Sequence, residues 1–186
     1  LNRDTLNHAI TTNNIDIVNA VLSAGAVPNE KTLTSAVETG DIDIVNLAIS
    51  LGAKPSASTL FKSLWTKNID IVNTVISLGA EPDEHTLYFA LQTRNTDIIN
   101  AVLSAGAKPG GGDLTKAILT NNIAIVNAVI SSGALPETED LAHAVKTKNI
   151  DIMYAVGLYI YSNFNEQWSD GLLPEEIENK IKHADP

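Results

Sequence analysis

One phrase dominates the sequence and returns with a period of 27 residues. NIDIVNAVLSAGAVP at residues 14–28 comes back as DIDIVNLAISLGAKP at 41–55 and as NIDIVNTVISLGAEP at 68–82. Six copies without insertion or deletion occupy residues 1–162 and leave 163–186 outside the pattern. A repeat this small cannot bury its apolar face alone. The sequence therefore predicts stacked layers that share one continuous core.

Each copy carries the signals of two short helices. The first follows a proline such as Pro28 and opens at a capping position, which Asn29 occupies in the second copy. The second starts after Asn14 and ends at Gly25, and equivalent residues do the same in later copies. Ile-Asp-Ile-Val would also suit a parallel β-helix. The apolar residues continue at helical spacing between cap and glycine, however, and this spacing favours helix pairs and an all-α fold.

The repeat resembles the ankyrin family. Leu33-x-x-Ala36, Thr39-Gly40-Asp41, Asp43-Ile44-Val45 and Gly52-Ala53 are similar to parts of the ankyrin motif. Ankyrin repeats run 33 residues, and the six that are missing here fall where the family has its β-hairpin finger. The resemblance implies an α-solenoid of six ankyrin-like repeats that binds partners. Without the fingers, we expect binding on the exposed face of the first helices.

Charge and composition exclude several functions. The formal net charge of −10 disfavours nucleic acid and anionic membrane surfaces as partners. The chain has no cysteine, and its four histidines show no metal-ligand spacing, so we expect no cofactor, no metal site and no catalysis. Gly110-Gly111-Gly112 lacks the Lys-Ser/Thr ending of a phosphate loop and instead predicts a looser joint. No apolar run is long enough for a membrane helix.

A binding site is expected where the copies differ. Two positions on one face of the first helix carry large aromatic or apolar side chains in the third to fifth copies. The predicted patch consists of Phe61, Trp65, Tyr88, Phe89 and Leu119, and Lys62 and Lys116 give it a partly basic rim. Exposed aromatic side chains are typical interaction anchors. The alternative is that packing between repeats, or a segment of a longer chain, covers these rings.

Two polar positions that recur in the second helices can be explained by local structure without a bound ligand. Aspartates such as Asp16 and Asp43 lie in the first helical turn, where the macrodipole favours a carboxylate; an acidic ladder that binds a cation or a basic peptide is the alternative. Asparagines such as Asn19 and Asn46 lie in mid-helix, where asparagine is a poor helix former. This choice suggests amide contacts between layers or with adjacent loops; binding of a ligand is the alternative.

The ends of the array differ from its middle. Ile160 replaces the glycine stop of the sixth copy, so its second helix should run on. Residues 163–186, including Trp168 and Leu172, form either a helical cap or the start of a following domain, with Ile177 and Ile181 facing the array. Leu1 stands where Pro28 stands in the next copy, so we expect a fragment whose repeats can continue upstream.

These features predict a non-enzymatic, monomeric interaction module that binds a partner protein or peptide. Two alternatives stay open. The chain could be a targeting or regulatory arm of a larger enzyme, or a structural spacer between flanking domains. The ankyrin resemblance implies a cytoplasmic location, or the host cytoplasm if the protein is a bacterial effector.

Overall fold

The structure is a computed structural model, and it describes residues 4–29, 31–164, 171 and 173–183. These residues form thirteen α-helices and no strand, so the predicted all-α class is confirmed. The first helices of the pairs are α1 (Thr5–Thr11), α3 (Thr32–Glu38), α5 (Ala57–Thr66), α7 (Thr86–Thr93), α9 (Asp113–Leu119) and α11 (Thr138–Thr147). The second helices are α2 (Ile15–Ser23), α4 (Ile42–Ser50), α6 (Ile69–Ser77), α8 (Thr96–Ser104), α10 (Ile123–Ser131) and α12 (Ile150–Phe164), and α13 (Glu175–Lys182) follows them.

The second helices begin and end as their sequence predicts. In α6 the Asn68 side chain accepts a hydrogen bond from the backbone N–H of Asp70 at 3.0 Å, which caps the helix. Gly79 follows the last turn with φ +89°, a conformation that is energetically unfavourable for a residue with a Cβ. None of the helices in the described residues has the length and apolar character that a bilayer crossing requires.

Five of the first helices, α3, α5, α7, α9 and α11, are anchored by a buried polar side chain. It accepts a hydrogen bond from the backbone N–H of the residue three positions earlier, such as Thr32 from Asn29 at 2.8 Å. The anchor residues that make this bond are Thr32, Thr59, Thr86, Asp113 and Asp140. All five are buried, so the backbone bond satisfies a group that has left water.

Residues 1–107 form the first of two compact units, which contains α1 to α8. Its first helices pack in chain order, α1 on α3, α3 on α5 and α5 on α7, and α4 to α6 and α6 to α8 do the same. Each first helix also packs on the second helix of its own pair. Leu33, Ile71 and Val72 are among the fully buried side chains of this core.

Residues 108–186 form the second unit, which contains α9 to α13. Helix α12 runs for 15 residues and continues past the buried Ile160, which stands at the glycine position. The predicted continuation of this helix is confirmed. Helix α13 packs on α12, and its Ile177 and Ile181 are buried. Trp168 and Leu172 lie outside the described residues. One continuous array over residues 1–162, with 163–186 as its cap, stays a prediction.

Candidate interaction surface

Four aromatic side chains of α5 and α7 meet in the first unit. The Phe61 and Phe89 ring centroids are 4.6 Å apart, and Phe61 also contacts Trp65 at 6.0 Å. Tyr88 contacts Phe89 at 5.4 Å, and Trp65 and Phe89 are 6.1 Å apart. Three of the four pairs are edge-to-face, the arrangement that the ring quadrupoles favour. Phe61, Trp65, Tyr88 and Phe89 are called the aromatic cluster below.

The aromatic cluster is partly exposed to solvent. Trp65 is 57% exposed and Tyr88 is 41% exposed, whereas Phe61 and Phe89 beneath them are half-buried. Packing between the repeats therefore does not cover the two outer rings. Because each outer ring contacts an inner one, the conformations of the outer side chains are restricted and the exposed apolar surface is preorganised.

A groove opens beside the cluster between the C-terminal ends of α3 and α5. Its volume is about 490 Å³, and its lining includes Glu38, Gly40, Phe61 and Trp65. Lys62 on the same wall forms an ion pair with Glu38 at 2.7 Å, and both side chains are half-exposed. The rim near Lys62 is thus of mixed charge, where the sequence predicted a partly basic one.

The seven predicted surface residues divide between the two units. The structure brings Phe61, Lys62, Trp65, Tyr88 and Phe89 together on α5 and α7. Leu119 and Lys116 lie on α9 in the second unit, where Leu119 is exposed and Lys116 half-buried. That these two extend the same surface stays a prediction.

The cluster replaces a polar link that other repeats make between layers. Two positions after the anchor, Asn7 accepts a hydrogen bond from the Thr32 hydroxyl of the next repeat at 2.9 Å. The hydroxyls of Thr34 and Thr59 bond at 2.8 Å in the same way. In the second unit the Thr115 hydroxyl donates to Asp140 at 2.7 Å. This link was not predicted from the sequence, although the sequence shows a polar residue two places after one anchor and a polar residue at the next anchor.

Phe61 occupies this linking position in the third repeat and cannot form the bond. The Thr86 hydroxyl donates instead to Asp83 Oδ1 at 2.6 Å within its own repeat. That bond is the main reason why the pKa of Asp83 lies below its ordinary value. Stacking of the layers can therefore use a small polar side chain here, and the phenyl ring of Phe61 is not a requirement of the repeat.

The two polar ladders face solvent. Asp16, Asp43, Asp70 and Asp97 are exposed in the first turns of their helices, consistent with the macrodipole explanation. Asn19, Asn46, Asn73, Asn100 and Asn127 are also exposed, whereas contacts between layers would bury their amides. Within the described residues, no group of three or more histidine, aspartate and glutamate side chains could hold a metal ion.

No protein-family model matches the chain, and no curated protein is significantly similar to it in sequence. A function is therefore inferred from the surface just described.

Proposed function

We propose that the chain is a non-enzymatic interaction module that binds a partner protein or peptide on the exposed face of its first helices. The aromatic cluster is the anchor of this surface, and the groove beside Glu38 receives the neighbouring part of the partner. The proposed architecture is an α-solenoid of six ankyrin-like repeats that acts as a monomer in the cytoplasm, or in the host cytoplasm as an effector.

One observation carries the proposal. Trp65 and Tyr88 stay exposed on one surface although the repeat does not need aromatic side chains at these positions. Tryptophan and tyrosine dominate the binding energy of protein interfaces, because they bury a large area at a small entropic cost. The contacts with Phe61 and Phe89 reduce that cost further by holding the outer rings before a partner arrives.

The same observation separates this proposal from a structural spacer. A spacer needs only the packing between layers, and polar residues such as Asn7 and Thr34 supply that packing elsewhere in the unit. Leaving two large rings in water raises the risk of aggregation, and the packing of a spacer does not require it.

The test replaces the aromatic cluster with residues that the repeat already tolerates. Phe61→Thr, Trp65→Glu, Tyr88→Thr and Phe89→Ser introduce the side chains that Thr34, Glu38 and Ser35 provide at the equivalent positions of the second repeat. Because these residues pack between the same kinds of helix, we expect the variant to keep the fold, which circular dichroism and urea unfolding check.

Quantitative affinity capture from a cell lysate then compares the parent, this variant and a control. The control is Val27→Ala with Leu78→Ala, which also removes exposed apolar surface from the first unit. We expect a protein that binds the parent and the control to bind the aromatic variant with an affinity at least about 30-fold lower. Equal capture by all three proteins would show that the cluster is not the site. Capture by none would contradict the interaction module.

A further inference from the structure

A groove in the second unit interrupts the polar surface of the second helices. It lies between α10 and α12 and has a volume of about 730 Å³. Its apolar lining includes Ile123 and Ile130 of α10 and Tyr154, Leu158 and Tyr159 of α12. None of these side chains belongs to the aromatic cluster, so the α10–α12 groove is a different site from the surface proposed above.

Two residues of this lining replace polar residues that all other copies keep. Tyr154 stands where the five earlier copies have an exposed asparagine, as at Asn127. Leu158 stands where they have an exposed serine, as at Ser131. The two side chains lie one turn apart on the same face of α12, and both are half-buried. The sixth copy therefore turns an exposed polar strip of the second helix into an apolar one.

Packing against α13 explains only part of this change. Lys180 of α13 places its Nζ 4.6 Å from the centre of the Tyr154 ring and so covers one face of it. Tyr154 and Leu158 also line the groove toward α10, and the described lining contains no residue of α13. The contact with Lys180 therefore does not explain why both side chains border an open groove.

The α10–α12 groove is acidic at one end. Asp151 lies one turn before Tyr154, is exposed, and is the one charged residue in the described lining. No basic side chain in the part of the chain that the structure describes forms an ion pair with it. The Tyr154 ring already attracts one cation, that of Lys180. The carboxylate, the tyrosine ring and the formal net charge of −10 together favour an occupant with a cationic group.

The dimensions of the groove suit a short helix. Ile123 and Ile130 lie two turns apart on α10, which corresponds to about 10 Å along the helix axis. A groove between two helices can receive a third helix through apolar side chains at positions i, i+3, i+4 and i+7. The polar lining residues Asn127 and Ser131 are exposed and can bond to the polar edge of such a helix.

We propose that the α10–α12 groove binds a basic amphipathic helix of a partner protein. Apolar side chains of this helix pack on Ile130 and Leu158, and a lysine or arginine beside them pairs with Asp151. A second copy of the chain is a poorer occupant, because its net charge of −10 repels the acidic end of the groove. The inference does not depend on the aromatic cluster.

The test uses a synthetic amphipathic helix of leucine and lysine, about 15 residues long, as the probe. A peptide with glutamate in place of lysine is its control. Calorimetric titration of the 186-residue chain at about 0.15 M salt measures binding, since this salt screens attraction between distant charges. Tyr154→Asn with Leu158→Ser restores the residues of the other five copies, and circular dichroism and urea unfolding check the fold of this double variant.

A matched pair of charge variants tests the acidic end. Asp151→Asn removes the charge and leaves the apolar walls, and Asp97→Asn makes the same change at the equivalent position of the fourth copy. We expect the leucine–lysine peptide to bind the double variant at least about tenfold more weakly than the parent, and Asp151→Asn about threefold more weakly. Its binding to Asp97→Asn and to the aromatic variant should match its binding to the parent.

Equal binding to the parent and the folded double variant would overturn the proposal, because the peptide would then bind elsewhere. Equal losses for Asp151→Asn and Asp97→Asn would also overturn it, because only the overall charge would then attract the peptide. No binding to the parent, or equal binding of the glutamate peptide, would exclude a basic helix. Self-association of the chain that the double variant abolishes would assign the groove to a second copy. If the double variant does not fold, the comparison of Asp151→Asn with Asp97→Asn decides.

Discussion

Two neighbouring junctions in the first unit solve the same packing problem differently. Between α3 and α5 the hydroxyls of Thr34 and Thr59 bond across the layers at 2.8 Å. Between α5 and α7 the aromatic cluster takes their place, with Phe61 and Phe89 4.6 Å apart. The helices and anchors are alike, so the difference lies in the side chains that face solvent and the next layer.

The comparison separates stacking from recognition. A hydrogen bond between two hydroxyls contributes about 1 kcal/mol and leaves little apolar surface in water. An aromatic pair contributes about 0.5 to 1.5 kcal/mol beyond its buried area, yet here it leaves Trp65 57% exposed. Both solutions hold the layers together, but only the aromatic one leaves large rings in solvent, which is why we propose the aromatic cluster for binding.

The largest effect on stability is expected at the polar junction. Thr59→Val removes a buried hydroxyl that bonds to Thr34 at 2.8 Å and to the backbone N–H of Ser56 at 2.8 Å. We expect a loss of about 2 kcal/mol in the free energy of unfolding, because both partners lose a bond inside the protein. Urea denaturation measures this loss.

Thr86→Val is the matched change at the aromatic junction. It removes a bond accepted from the backbone N–H of Asp83 and a bond donated to the Asp83 carboxylate, both within one repeat, so it should cost about as much as Thr59→Val. A much smaller loss for Thr86→Val would mean that the hydroxyl link across layers contributes more than the bond to the carboxylate.

A smaller effect is expected when the aromatic junction is converted to the polar one. Phe61→Thr should restore a hydroxyl pair with Thr86, since Thr34 makes that pair with Thr59. The substitution should therefore cost about 1 kcal/mol more in a Thr86→Val background than in the natural one. A double-mutant cycle by urea unfolding gives the coupling, and a coupling near zero would show that the junctions are not interchangeable.

Local signals were enough to predict most of the fold. The asparagine cap before α6, the glycine after it and the apolar positions between them depend on neighbouring residues in the chain, so a single repeat reveals them. Repetition then fixes which faces must meet. The clustering of Phe61, Trp65, Tyr88 and Phe89 was also predictable, because positions one turn apart on neighbouring helices lie side by side.

Features that depend on distant partners were not predictable. The role of Thr32 as a buried anchor needs both its own loop and Asn7 of the previous repeat. The ion pair of Lys62 with Glu38 crosses from α5 to α3, so the rim looked more basic from the sequence than it is. The solvent exposure of Asn46 and its equivalents depends on which side of the second helix the neighbouring layers leave open.

The acidic anchor of α9 predicts a pH dependence that a threonine anchor would not show. Burial of Asp113 raises the pKa of its carboxyl group above the ordinary value. The folded state then holds the proton more tightly than the unfolded state, so Asp113 costs stability as pH rises through the raised pKa. Asp113→Thr should raise the free energy of unfolding by about 1 kcal/mol at neutral pH.

The gain in the free energy of unfolding from Asp113→Thr should vanish below the ordinary carboxyl pKa of about 4, where the folded and unfolded states both bind the proton. Asp83→Asn provides the opposite sign, because the hydrogen bond from Thr86 lowers the pKa of Asp83. Asp83→Asn should lower the free energy of unfolding at pH values above the ordinary carboxyl pKa, and this loss should disappear as the pH falls through the lowered pKa of Asp83. Urea unfolding at several pH values tests both, and a pH-independent gain for Asp113→Thr would contradict the role of its ionisation.

The smallest effect is expected at the left-handed residue that ends each first helix. Arg94 has φ +55°, and Gly40 occupies the equivalent position in the second repeat with φ +72°. Arg94→Gly relieves the strain of a Cβ in this conformation, about 1 to 2 kcal/mol, but loses part of it to the greater freedom of glycine and to the helix dipole.

We expect a net gain of about 0.5 kcal/mol for Arg94→Gly and a matching loss for Gly40→Arg, both measured by urea unfolding. A loss of stability for Arg94→Gly would mean that its charge at the helix end outweighs the strain. If Arg94→Gly stabilises the chain and also weakens partner capture, then the arginine contributes to binding. In that case the two junctions differ in a charged residue at the end of the first helix as well as in their rings.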